Sequence, residues 1–433
     1  MKIARERGAW TAAVAGDDRA SHPRIFWTIG AHALVRIASG TSGVLIGLYL
    51  ADLRNNGAPV GAGIVGTLSA VSFAAELFAS IPLGLASDAL QRRWVMMGGA
   101  LAGALAALLF AVSGSTSIFY VSRALEGIGA AAIVPALLAY ITDVTDGRPA
   151  LRVRAMSYFE LTLLAGLALG GIVAAQLFRT LHAGAFAVVA VLYLACAAML
   201  FVTVSRNVRL HVASPIAQLR DVLRLPSLRH LAPVWLCVNA VVGLWLGPML
   251  PFLLTQRSTS GQFLAGIYAG EPARVGWLLF GYALVFGAGI TAWSFLLPRM
   301  RLHTAMTIAL AAMIPACAVI AFLNHSAQQP IAARVAAGVV LALVIMVESG
   351  FTPAALAWLA RTLPVQSGRG AAMGIYSVLL SIGAIAGSLL AAVLGERYAI
   401  DGLLSGTVLM ALVALVFLRW VPDPDVARRE RTA

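Results

Sequence analysis

Five ionisable residues lie deep inside long apolar runs, where water cannot reach them: Arg36, Glu76, Arg123, Glu126 and Glu348. A charge at the centre of a bilayer costs roughly 2.5–3.5 kcal/mol on insertion scales, so each of these is a candidate functional group. The chemistry open to them is ion pairing and proton carriage. If Arg36 and Arg123 each neutralise one carboxylate, one carboxylate is left over. A desolvated carboxylate without a cation prefers to hold a proton, as a proton carrier must. Glu348 is the first choice for that role, because its apolar run holds no cation nearby. Its alternative is a structural carboxylate bonded to Ser or Tyr. Glu160 and His32 sit shallower, and His32 reads as a packed polar residue rather than a relay.

Other chemistries are excluded by what is missing. The only lysine is Lys2, so no phosphate-binding G-x-x-x-x-G-K-[ST] loop and no internal Schiff-base lysine exist. Cys196, Cys237 and Cys317 are widely spaced inside apolar runs, with no C-x-x-C and no zinc-type His–Cys cluster. They read as small packing residues. No H-E-x-x-H is present, so no enzyme, metal site or cofactor is expected. A net charge of +13 could indicate nucleic acid, but these arginines are scattered in short loops, so no nucleic-acid partner is expected.

The elements that must hold these charges are transmembrane helices. The chain has 433 residues, 60% hydrophobic and 11% charged, with a mean hydropathy of +0.88. Soluble domains carry nearer one quarter charged residues. Twelve apolar runs are long enough to span about 30 Å of hydrocarbon. They lie near 25–51, 61–86, 94–113, 117–141, 154–177, 183–204, 230–254, 275–298, 304–323, 331–360, 370–394 and 398–420. With the N-terminus inside, 23 basic residues fall in cytoplasmic segments and six outside. That bias sets both termini in the cytoplasm. The first 24 residues lack a signal-peptide core, so the first run is expected to be retained.

The chain divides into an N-terminal bundle over 1–204, a linker over 205–229 and a C-terminal bundle over 230–433. In the linker, Ile216, Leu219, Val222, Leu223 and Leu225 alternate with Arg220, Asp221 and Arg224, as in a helix lying on the inner leaflet. The bundles resemble one another. A shift of 217 residues aligns 155–175 with 372–392, matching Gly166 with Gly383 and Gly170 with Gly387 among seven identities. A shift of 218 aligns Pro135-Ala136 with Pro353-Ala354.

Three motifs then suggest a family. After span two comes Gly84-Leu-Ala-Ser-Asp88-Ala-Leu-Gln-Arg92-Arg93, which resembles the loop signature G-x-x-x-D-[RK]-x-G-[RK]-[RK] of the major facilitator superfamily. Ala89 and Gln91 depart from that pattern. Span four carries Arg123-Ala-Leu-Glu126-Gly127-Ile-Gly129, similar to the family's R-x-x-Q-G-x-G with Glu for Gln. Span five carries Gly166-Leu-Ala-Leu-Gly170-Gly171, similar to the G-P-x-x-G-G of its drug–proton antiporters, with Leu167 in place of the bending proline.

The resemblance covers essentially the whole chain. It implies an all-α integral membrane protein of twelve transmembrane helices in two six-helix repeats, working by alternating access in a plasma or inner membrane. It implies that Gly84, Asp88, Arg92 and Arg93 form a cytoplasmic gate. Arg123 either tunes a proton-carrying carboxylate or makes a local pair with Glu126, and the two roles are compatible. The expected partners are a small-molecule substrate, protons and the bilayer, with the protein a monomer. Export of a drug-like compound leads, with uptake of an organic anion or a non-transporting receptor as alternatives. Asn239, Trp245, Trp358 and Tyr376 are candidates for lining the cavity.

Overall fold

The computed structural model describes residues 2–422, except 146–147, 205–225, 258–259 and 363–368. Side chains up to residue 23, and those of 88–89, 149–150, 153, 160, 167, 226–228, 360–362 and 369–377, are also outside the description. Most of the expected surface linker, and the side chains of Asp88, Glu160, Leu167 and Tyr376, therefore lie outside the described residues.

All regular structure among the described residues is helical. Ten helical stretches are long and apolar enough to cross a bilayer, and two of these, Arg154–Thr203 and Val378–Leu418, each hold two crossings. The first reverses at His182 (φ 47°, ψ −125°) and the second at Ala399 (φ 48°, ψ −126°). These are the only non-glycine residues with positive φ among the described residues. They stand 217 apart, the same offset as the sequence repeat, so the two bundles reproduce even this disfavoured turn. The reversal at Ala399 is tight: a methyl built on Gly406 would touch the Leu394 side chain at 3.1 Å.

The twelve spans are one (Lys2–Asn55, crossing from Arg24), two (Ala62–Ala89), three (Arg92–Val112) and four (Thr116–Val144). Five (Pro149–Leu181) and six (Ala185–Thr203) complete the first bundle. The second bundle holds seven (Pro226–Trp245 and Met249–Thr255), eight (Ala273–Leu296) and nine (Leu302–Asn324). Ten is Ile331–Glu348 and Phe351–Thr362, and Arg369–Leu418 supplies eleven and twelve on either side of Ala399. An even number of crossings leaves both termini on one face, the termini face; the other is the far face.

Spans seven and ten are not the continuous helices their apolar runs suggest. Span seven breaks at Gly247, whose φ of +83° favours glycine. Span ten breaks at Ser349-Gly350.

Packing uses small residues, because lipid tails offer no hydrophobic gain for helix association. A methyl on Gly129 would lie 2.6 Å from the Gly99 carbonyl oxygen, so spans three and four meet backbone to backbone. The same holds at matched places in both bundles. Gly166 and Gly170 of span five seat on Arg36 and Gly40 of span one, and Gly383 and Gly387 of span eleven seat on Asn239 and Ala240 of span seven. At the far end of the first bundle, Phe110 stacks on Phe119 (4.7 Å) and Phe186 (5.0 Å), tying spans three, four and six together. Large apolar side chains such as Val112, Val202 and Leu343 are exposed, as a lipid-facing surface requires.

The bundles touch through spans two and eleven and through spans five and eight. Gly66 seats on Ser388 and Ala392, and Gly171 and Gly276 seat on each other's helices. All of these contacts lie in the far-face half. In the termini-face halves of spans two and eight, Gly84 and Gly287 have open space where a side chain would start.

Candidate functional site

The first bundle gathers four of the five embedded charges. Arg123 and Glu126 stand one turn apart on span four and form an ion pair, each side chain 9% exposed. Gly127 follows Glu126, and a methyl there would lie 3.0 Å from the Glu76 amide nitrogen. That close approach brings span two in, so Glu76 falls within electrostatic reach of both Arg123 and Arg36. Arg36 is set by span five: a methyl on Gly166 would meet its carbonyl oxygen at 2.6 Å. Two arginines and two carboxylates therefore share one region between spans one, two and four, with Arg123 and Glu126 buried and Arg36 and Glu76 half-buried.

Sequence reasoning missed Tyr193. Its ring packs over Gly103 of span three, and its hydroxyl lies beside Ser39 and in reach of Glu126 and Arg123. A lone tyrosine in an apolar run carries no local signal of a polar partner, and only packing reveals one. His32 stacks on Phe159 with ring centres 4.5 Å apart and hydrogen-bonds Thr162 at 2.7 Å, the packed polar role.

Glu348 is alone in the second bundle. It is the last residue of its helical segment rather than the middle of a continuous span, and this corrects the unbroken run over 331–360. The break is held by Trp293 of span eight, whose indole N–H donates to the carbonyls of Met346 (3.1 Å) and Val347 (3.0 Å). Both acceptors lie in the last turn, where Met346 also accepts from the Ser349 hydroxyl (2.8 Å) and Val347 from Gly350 N–H (3.3 Å). Gly350 and Pro353 were the available signals of this break. Half-buried, Glu348 has Tyr282 of span eight and Cys317 of span nine in its electrostatic neighbourhood. It makes no ion pair among the described residues.

The loop after span two places the surroundings of Gly84, Arg92 and Arg93 on view. Arg92 pairs with Asp143 at the end of span four, within the same bundle. Arg93 lies over the rings of Trp94 (4.8 Å) and Phe201 (4.6 Å), so it anchors span three on span six rather than joining a charge cluster. Gly84 mediates no close approach among the described residues, with nothing within 4 Å of where its side chain would start. The Asp88 side chain lies outside the described residues. Gly166, Gly170 and Gly171 do act as close-approach glycines, the first two on span one and the third on Leu279 of span eight (3.1 Å).

Of the aromatic candidates, Trp358 is buried in the second bundle and donates to the Pro422 carbonyl at 2.9 Å, so it does not line a cavity. Trp245 precedes the break in span seven and donates to Thr407 at 2.7 Å. Asn239 donates to the Trp235 carbonyl of its own helix at 2.8 Å.

Comparison with known proteins follows the same lines. The family model described as Major Facilitator Superfamily matches residues 28–270 and 261–433. The chain is 34% identical over 106 residues to Multidrug resistance protein 2 of Bacillus subtilis (strain 168). That match covers 24% of this chain and spans only 26% of that relative's length. Among solved structures, nucleoside transporter NupG superposes with a TM-score of 0.71 at 13% identity, over 92% of this chain and 98% of that one. A mutant of peptide transporter POT in complex with alafosfalin gives 0.70 at 14% identity, over 92% and 94%.

Proposed function

This chain belongs to the major facilitator superfamily, and we propose that it is a proton-coupled secondary transporter exporting a small organic or drug-like molecule. The observation that carries the reading is the unequal division of embedded charge. In the first bundle, Arg36 and Arg123 offset Glu76 and Glu126. In the second, Glu348 has no cation in electrostatic reach among the described residues. A lone carboxylate within one of two moving bundles is costly while charged and cheap while protonated. It can therefore link proton binding to the rocking of the bundles, with Tyr282 and Cys317 as neighbours that carry no positive charge. Export of a drug-like compound is favoured by the partial match to a multidrug resistance protein.

The termini face is taken as cytoplasmic because the arginines concentrate there. Because the bundles are joined at the far face by Gly66 on Ser388 and Gly276 on Gly171, we read the conformation as the one open to the cytoplasm. Asp88, at the end of span two, is placed in the opposite conformation as a latch on that face.

Proteoliposomes loaded with a pH-sensitive dye test the reading. Compound entering the lumen should drive protons out and raise the lumenal pH, compound leaving should lower it, and labelled compound should show counterflow. Net transport of a compound without any lumenal pH change would refute proton coupling, and no counterflow with any compound class would refute transport.

A further inference from the structure

Three hydrogen bonds on the far face join the two bundles. Asn55, at the end of span one, uses its side-chain amide twice: its N–H donates to the Thr255 carbonyl (3.0 Å), and its oxygen accepts from Arg257 N–H (2.6 Å). Glu396, near the end of span eleven, accepts from Gly63 N–H at 2.9 Å. Gly63 is in the first turn of span two, whose N-cap, Gly61, supplies no side-chain cap. The first amides of a helix have no partner within it, and the helix dipole concentrates positive potential there. Span two thus takes its cap from the other bundle. Gly61 has no side chain to block the approach: a methyl on it would collide with the Glu396 carboxylate. Behind this contact, Ala62 and Gly395 pack at 3.3 Å, and Gly66 seats on Ser388 at 2.5 Å, as measured from built methyls.

We propose that Glu396 is a latch on the far face, and that withdrawing it from the start of span two is an obligatory step in opening that face. Spans two and eleven run antiparallel, so each ends on the face where the other begins. Asp88 ends span two on the termini face as Glu396 ends span eleven on the far face. The helix pair then works as a rocker with one carboxylate engaged in each extreme. The Asp88 end rests on the latch reading given under Proposed function; the Glu396 end rests on the contact seen here.

The test uses the full chain with Cys196, Cys237 and Cys317 replaced by alanine and a reporter at Ser69→Cys. Ser69 is buried on span two, with its hydroxyl 4.0 Å from where a methyl on Gly247 would sit. A membrane-impermeant maleimide added from the far face reaches it only when that face opens. Glu396→Ala should speed labelling about tenfold, the scale of one charge-assisted hydrogen bond. Glu396→Gln should speed it less, since the amide oxygen can still accept. Glu396→Asp keeps the charge but shortens the reach, and it carries the test if the alanine variant fails to fold. Asp88→Asn should slow labelling, and the Asp88→Asn/Glu396→Gln double variant should return toward the parent. Unchanged labelling in folded Glu396→Ala or Glu396→Asp protein overturns the latch. Faster labelling in those variants with no effect of Asp88→Asn supports Glu396 and refutes the Asp88 reading.

Discussion

Replacing Arg123 by alanine tests the charge arrangement of the first bundle directly. Arg123 and Glu126 pair at 9% exposure each, and Glu76 lies within electrostatic reach of Arg123. The variant strands Glu126 and leaves the cluster with one cation for two carboxylates. Two magnitudes compete. Hydrogen bonds between membrane helices measure about 0.6 kcal/mol on average, with a maximum near 1.7. Removing one partner of a buried ion pair costs about 3–5 kcal/mol, because the other charge stays behind without compensation. Both partners here are formal charges and both are buried, so the second governs, and a loss of about 3 kcal/mol is expected for Arg123→Ala. Arg123→Leu/Glu126→Leu strands no charge and should lose less than the single variant. The assay is equilibrium unfolding in mixed micelles followed by tryptophan fluorescence, with transport measured on the same preparations. A single variant within about 0.5 kcal/mol of the parent, the range of an ordinary surface substitution, or a double variant that loses the sum of both singles, would refute the argument. If the double variant is stable and also transports normally, the cluster is only structural.

Three further outcomes are expected. Glu348→Gln should lose gradient-driven accumulation yet retain labelled-substrate exchange, and that exchange should lose its dependence on pH; uphill transport with an unchanged pH profile would make Glu348 structural. Gly276→Val should force spans five and eight apart, since even a methyl there would lie 2.7 Å from the Gly171 carbonyl oxygen; a cost of about 1–3 kcal/mol should appear as slower transport and a lower unfolding midpoint, and parent-like values in both would show that the contact yields freely. A reporter fused after Ala433 should read cytoplasmic, and one inserted after Gln256 should read from the other side; agreement between them would break the twelve-span topology.

Much of the architecture is carried by local chemistry. A run of about twenty apolar residues in lipid must be helical, because no water is present to satisfy its backbone. Counting such runs therefore counts crossings, and the repeat at an offset of 217 recurs in the backbone as the paired turns at His182 and Ala399. The ion pair of Arg123 with Glu126 was readable for the same reason, since residues three apart are neighbours on a helix. Tertiary structure decided what lies between helices. Hydropathy is a sum over a window and has no direction, so it could not show that Arg92 turns to Asp143, that Arg93 stacks on Phe201, or that Tyr193 joins Glu126. Nor could it show the breaks at Gly247 and Ser349-Gly350, because a broken helix and a whole one are equally apolar. The contact of Glu396 with the start of span two joins residues 333 apart in sequence. Only the packing of one bundle on the other brings that carboxylate to a helix end that has no cap of its own.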